Sequence, residues 1–238
     1  MLDAISARDP NAMRVPTHAE LKTRQRARRA DFPQAMALRV HRAISWIGRA
    51  EAEAGDDDAR FLFFWIAFNA AYADARRLDA QGRRDASQSE RARIDAFFDL
   101  VVRLDGPGRI YDAIWTRFSG PVRVFLGNRF VFRPFWDHQN GEATGADWEG
   151  AFAADQRRLA EALANRRTAP ILRTLFDRLY VLRNQLVHGG ATWKGKVNRD
   201  QMRDGAAILA FLVPVFVDIM LDHPLEDWGD AFYPVIEG

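Results

Sequence analysis

The stretch ILRTLFDRLYVLRNQLVHGG, residues 171–190, decides the fold class. Leu172, Leu175, Phe176, Leu179, Leu182 and Leu186 recur at spacings of three and four, which lines them along one side of an α-helix and anchors that side in a core. Gly189-Gly190 ends the pattern, because glycine takes the left-handed backbone that closes a helix without steric cost. The polar residues Arg183, Asn184 and His188 therefore ride on a rigid support. Asn184 and His188 are four apart and share a face, and Arg183 stands about a quarter turn from Asn184. His188 falls in the last turn, near the negative end of the helix dipole, where a protonated imidazole is favoured.

Working outward, the same periodicity predicts helices almost everywhere. Thr17-His18-Ala19-Glu20 has capping-box spacing ahead of Leu21–Ala30, a helix-favouring run with arginine at 24, 26, 28 and 29, read as an exposed helix or arm. Met36, Val40, Ile44 and Ile47 mark an amphipathic helix ending near Gly55. Asp56-Asp57-Asp58 opens the next, because carboxylates favour the positive end of a helix, and Phe61–Tyr72 is apolar on nearly all sides. A polar loop is expected over Leu78–Glu90, then a helix carrying Ile94, Phe97, Phe98, Val101 and Leu104, stopped by Gly106-Pro107-Gly108. Residues 109–136 are ambiguous, and one short strand pair near 122–136 stays open as an alternative. Helices resume at about 147–166, 169–188 and 198–221, with Pro214 expected to kink the last. The expected class is all-α, an up-and-down helical bundle with additional helices. Residues 1–32 form an N-terminal basic helix or arm and residues 33–238 a single helical domain.

Composition narrows the function. With 238 residues, 48% of them apolar, the chain can bury a real core, and with no cysteine it has no disulfide framework, no thiol nucleophile and no thiolate-held zinc. The five histidines, at 18, 41, 138, 188 and 223, are scattered without ligand spacing, so no metal is expected. No Gly-rich phosphate loop with a following Lys-Ser/Thr appears, and no cofactor is implied. The formal charge is only +2, yet lysine is confined to Lys22, Lys194 and Lys196, and the other basic residues are arginine. The apolar runs 61–73 and 206–217 are shorter than the roughly 20 residues a membrane span needs. Met1–Pro16 lacks the apolar core of a secretory signal. A cytoplasmic protein without membrane contact is the expectation.

Arg183, Asn184 and His188 suit cleavage of an RNA phosphodiester by its own 2′-hydroxyl. Imidazole moves a proton near neutral pH, guanidinium neutralises charge building on the phosphate, and the amide orients an oxygen or the ring. Trp193, Lys194, Lys196 and Arg199 follow closely and are candidates for holding substrate by stacking and phosphate contacts. Arg133 and His138 share the five-residue spacing, but Pro134 stands where Asn184 does and no well-formed helix is expected there.

Arg-polar-x3-His at a helix end is the signature of the HEPN ribonucleases, which this chain resembles over roughly residues 33–220. Arg183, Asn184 and His188 match that motif residue by residue. Trp46–Glu51, Phe64–Tyr72, Phe125–Trp136 and Arg183–Trp193 also resemble segments of stand-alone bacterial HEPN proteins. The resemblance implies a HEPN-type bundle, a homodimer with two motifs facing one cleft, and metal-independent endoribonuclease action leaving a cyclic phosphate. In it His188 is the general acid or base, Arg183 the phosphate stabiliser and Asn184 the orienting residue. It also implies a toxin–antitoxin or phage-defence setting, with a nucleotidyltransferase-like or other antitoxin partner. The alternative is a catalytically silent HEPN module that binds nucleotide or a protein partner.

Overall fold

Thr17 and Glu20 close a reciprocal cap. The Thr17 hydroxyl accepts from the Glu20 N–H at 3.4 Å, and the Glu20 carboxylate accepts from the Thr17 N–H at 2.8 Å. Helix α1 (His18–Arg28) follows, as the spacing predicts. The computed structural model describes residues 14–72, 90–117, 119–196, 198–231 and 233. The start of the chain, read above for a secretory signal, lies outside the described residues up to residue 13, as does the loop read over 78–90 up to residue 89.

Helix α2 (Gln34–Glu51) buries Met36, Val40, Ala43, Ile44 and Ile47. Helix α3 (Asp57–Tyr72) is capped by Asp56, whose Oδ1 accepts from the Ala59 N–H at 3.0 Å, and it buries Phe61, Phe64, Trp65, Phe68 and Tyr72. Helix α4 (Glu90–Leu104) buries Phe97, Phe98 and Val101, and it stops before Gly106-Pro107-Gly108 as expected.

The ambiguous stretch is helical, and no strand occurs among the described residues, so the strand pair considered over 122–136 is not formed. Helix α5 (Arg109–Asp112) runs into a π turn at 113–117, then α6 (Ser119–Leu126), a 3₁₀ turn at 129–131 and α7 (Arg133–Gln139) follow. Two local causes decide this. Asn128 Oδ1 accepts from the Phe130 N–H at 2.8 Å and closes the 3₁₀ turn. Pro134 lies in the first turn of α7, where its fixed φ suits a helix and its missing N–H has no partner to lose. The Trp136 indole N–H then donates to Phe130 O at 2.8 Å and folds α7 back onto the turn. Arg133–His138 is thus helical after all.

Helices α8 (Trp148–Ala164), α9 (Thr168–Val187) and α10 (Arg199–Asp222) complete the bundle. Helices α2 and α3 pack as an antiparallel pair, with α10 laid against both and α9 reaching the same centre. At that centre Phe68 meets Phe176 at 4.4 Å between ring centroids, Tyr72 at 4.6 Å, Phe98 at 6.0 Å, Phe97 at 6.1 Å and Phe216 at 6.4 Å. Helix α10 comes so close to α3 and α9 at Gly205 that a Cβ there would stand 3.1 Å from Phe61 and 3.2 Å from Leu179 and Leu182. It runs unbroken through Pro214, whose missing N–H leaves Ala210 O without its usual donor. Among the described residues α10 is the helix long and apolar enough to cross a membrane, and 78% of that apolar window is buried inside the protein.

The N-terminal segment is helical and docked, which corrects only the exposure expected for that helix or arm. Leu21 is fully buried, and α1 packs on α2 and α10. Arg24 pairs with Asp218 and, at 2.6 Å, with Asp222, while Arg28 donates to Leu221 O at 3.1 Å. Arg109 reaches the same two aspartates from α5 and also pairs with Asp105 at 3.3 Å. The acidic end of α10 therefore ties both α1 and α5 to the bundle.

Candidate functional site

Helix α9 carries the motif on the support that the leucine stripe provides. Leu172, Leu175, Leu179 and Leu182 are fully buried, Phe176 nearly so, and Leu186 packs against the same core. Arg183 and Asn184 are half-buried, and the Arg183 guanidinium donates to Asn184 Oδ1 at 2.9 Å. His188 is one residue past the helix rather than in its last turn: it is the C-cap, its backbone N–H donating to Asn184 O at 3.0 Å. Its ring is exposed, and among the described residues no group hydrogen-bonds it.

Gly189 turns the chain at φ +73°, and Ala191 N–H then reaches back to Gln185 O at 3.1 Å. A side chain at 189 meets no steric obstacle, so only the backbone conformation is at stake. Gly189→Ala is expected to cost about 1–2 kcal/mol from the left-handed backbone alone. Urea denaturation measures it, and a neutral result would mean that the cap is not formed in solution.

The loop after the motif is fastened to the start of α3, a pairing between residues far apart in sequence. The Trp193 indole N–H donates to Asp56 Oδ2 at 2.8 Å, and the Lys194 backbone N–H donates to Asp58 Oδ2 at 2.7 Å. Arg199 pairs with the other oxygen of the buried Asp58. Asn198 donates to Gln185 Oε1 at 2.9 Å, and Gln185 in turn donates to Phe130 O at 2.9 Å. Gln185, Asp56, Asp58 and the Phe130 carbonyl thus build the frame around the motif. Sequence reasoning took Asp56 and Asp58 only as a helix start and passed over Gln185. No local signal marks these partners, because each bond joins segments separated by many residues.

Burial pushes the Asp56 carboxyl up, but the Ala59 N–H, the Trp193 indole and Lys194 outweigh burial and hold it below the ordinary aspartate value. Its folded-state pKa is therefore lower than its unfolded one. Its stabilisation is complete above the ordinary value of about 3.8 and lost as pH falls through the lower folded value. Asp56→Ala is expected to cost about 1–2 kcal/mol at neutral pH, as lost helix caps do, and the deficit should narrow below about pH 4. Stability curves of both proteins against pH check this, and a deficit that stays constant to strongly acid pH would refute the charged anchor.

The candidate substrate residues are not equivalent. Arg199 is occupied by Asp58. Lys194 lies 4.8 Å from the Trp193 ring centroid and 4.0 Å from Asp56, while the Trp193 ring is 70% exposed with only its N–H engaged. Lys196 is exposed and, among the described residues, has no charged partner. The second Arg-x4-His match looks different. Arg133 is turned to solvent, 3.8 Å from Asp137, and His138 is exposed near the Trp148 ring.

A separate cavity of about 550 Å³ lies between α4, α7, α8 and α9, and no motif residue lines it. Its arginines face aspartates: Arg91 meets Asp177 at 2.6 Å, Arg173 meets Asp95 at 3.0 Å, and the buried Arg178 pairs with Asp155 and stacks 4.4 Å from the Phe132 ring. Asn69, alone in apolar α3, lines another cavity of about 370 Å³ beside Arg39 and Arg42. Among the described residues no group of three or more histidines and carboxylates has the placement to hold a metal ion.

What the motif presents is an exposed imidazole at a helix end, a half-buried guanidinium one turn back, and an amide held by that guanidinium. This set can move a proton and neutralise an oxyanion. Compared with known protein families, with curated proteins and with solved structures, the chain finds no match, so the site stands on its own geometry.

Proposed function

We propose that the chain is a metal-independent endoribonuclease of the HEPN type, acting at a site formed between two protomers. The observation that carries this reading is the placement of His188. The ring is displayed to solvent at the end of a helix whose other side is locked in the core, with Arg183 and Asn184 on the preceding turn. In the reaction the 2′-hydroxyl loses its proton as its oxygen attacks phosphorus. The 5′-oxygen then leaves with a proton, and a 2′,3′-cyclic phosphate remains. A single His188 supplies one of these two proton transfers, and a second copy supplies the other. Arg183 neutralises the phosphorane, and Asn184 orients the guanidinium or the bound phosphate.

Exposed apolar side chains beside the motif support pairing of two copies. Val187 is 50% exposed, Phe130 39% and Trp193 70%, and all three belong to the elements that frame Arg183–His188. A cytoplasmic toxin–antitoxin or phage-defence setting, with a nucleotidyltransferase-like antitoxin as partner, is the context that fits such an enzyme.

The test is incubation of the purified protein with RNA, transfer RNA included, in EDTA, alongside His188→Ala and a measurement of mass in solution. Products ending in cyclic phosphate, made by a dimer and lost in the variant, are the expected result. Intact RNA throughout would replace the enzyme reading with the silent binding module.

A further inference from the structure

The arginine run at 24–29 is split by the helix that carries it. Arg24 and Arg28, four apart, turn to α10 and are engaged by Asp218, Asp222 and Leu221 O. Lys22, Gln25, Arg26 and Arg29 recur at three, one and three residues and form a different face, turned to α2. Helix α2 answers with Gln34, Ala37, Leu38 and His41 at the same recurrence. Between the two faces runs a groove of about 570 Å³ with no acidic residue in its lining.

What marks this groove is its uncompensated positive charge. Among the described residues, the side chains of Lys22, Arg26, Arg29 and His41 make no hydrogen bond or ion pair, whereas most of the protein's other arginines near the bundle surface meet an aspartate or glutamate. Gln25, only 6% exposed as a residue, lines the groove beside them.

We propose that the groove between α1 and α2 binds the sugar-phosphate backbone of single-stranded RNA, as a second contact outside the cleavage motif; this rests on the reading of the chain as acting on RNA. Lys22 to Arg29 spans seven residues of helix, roughly 10 Å at about 1.5 Å per residue. Three cations over that length give a dense positive stripe for a strand that carries one negative charge per nucleotide. The Gln25 amide donates to a phosphate or sugar oxygen, and His41 adds a donor from the opposite wall. The floor, Ala30, Ala37 and Leu38, holds no aromatic ring, so the groove follows the backbone without reading bases.

Helix α2 links this groove to the motif. His41 precedes Glu51, at the other end of the contact with α1 where the His18 N–H donates to Glu51 at 2.8 Å, by ten residues, roughly 15 Å of helix. Just beyond Glu51 the chain reaches Asp56 and Asp58, the anchors of the Trp193–Arg199 loop.

The experiment measures binding of a labelled single-stranded RNA as a function of salt, using the full chain with His188→Ala so that the RNA stays intact. Combining Lys22→Gln, Arg26→Gln and Arg29→Gln should weaken binding at least tenfold at low salt. It should also flatten the plot of log affinity against log salt by about two, since each lost phosphate contact removes about 0.7. The three side chains are unpaired and solvent-facing, so the melting temperature should hold. Arg123→Gln with Arg157→Gln and Arg167→Gln removes the same charge elsewhere and should leave the slope unchanged. An unaltered slope in the groove variant, or equal slopes in both triple variants, would overturn the groove while leaving the ribonuclease reading intact. Absence of any RNA binding by the parent, or binding to phosphatidylserine vesicles in its place, would overturn both the groove and the RNA reading.

Discussion

His188→Ala should lower the rate of RNA cleavage by about 10²–10⁴-fold, the range that a positioned general acid or base contributes. Stability should hardly change, because the ring packs against nothing that the fold requires. The residue's structural service is its backbone N–H, which caps α9 through Asn184 O at 3.0 Å and survives the substitution. Arg183→Ala should lower cleavage by a comparable factor through loss of charge opposite the phosphorane. Its protein contact, the bond to Asn184 Oδ1, lies within the motif itself. Initial rates on a labelled RNA, read beside melting temperatures, separate the two kinds of effect. A His188→Ala protein that cuts at the parent rate would end the assignment of this residue. A protein that loses activity and unfolds together would point to a structural role instead. Mixing parent chains with an excess of His188→Ala chains gives a further check on the shared cleft, since a mixed dimer holds one imidazole where the two proton transfers need two, and parent activity should fall as mixed dimers form.

Phe68→Ala should be among the most damaging single changes to the fold, costing about 3–5 kcal/mol. The ring is completely buried and touches aromatic partners on α3, α4, α9 and α10 at once. Removing it leaves a void that four helices cannot all close, so the transfer loss and the cavity loss add. Against a total stability of about 5–15 kcal/mol for a typical domain, this is a large fraction. At about 2–4 °C per kcal/mol for a chain of this size, the melting temperature should fall by roughly 10 °C. Phe68→Leu keeps most of the volume and should cost less than half as much. Urea unfolding of the three proteins measures the series, and a loss below about 1 kcal/mol for alanine would show that the centre of packing lies elsewhere.

What the sequence makes legible depends on whether the determinant is local. The stripe from Leu172 to Leu186, the cap at Thr17 and Glu20, and the turn at Gly189 each act within one or two helical turns, and each element forms where its residues predict. The stretch from 109 to 136 is harder because its α-helices are only four to eight residues long, too short for a periodic pattern to outweigh an alternating one. There the outcome turns on single side chains, Asn128 closing a 3₁₀ turn and Pro134 starting α7. The docking of α1 was hidden for another reason. An arginine-rich helix reads as solvated until the aspartates at 218 and 222, nearly two hundred residues later, are placed beside Arg24. The candidate site divides the same way. Arg183, Asn184 and His188 were visible as a motif, whereas the clasp of Asp56 and Asp58 on Trp193, Lys194 and Arg199 exists only once the chain has folded back on itself.

Helix α10 comes after every helix it packs against in the order of synthesis. Until Arg199–Asp222 leaves the ribosome, the apolar sides of α2, α3 and α9 that it covers have no permanent partner, and the aspartates that hold α1 and α5 do not yet exist as a pair of anchors. The bundle therefore closes late and all at once, after a period in which sticky surface is open to chaperones or to neighbouring chains. The last fastening of the loop that frames the motif comes from Arg199, the first residue of that same helix, when it meets Asp58. Under the ribonuclease reading proposed above, a site whose frame is completed late in folding spares the ribosome that makes the chain.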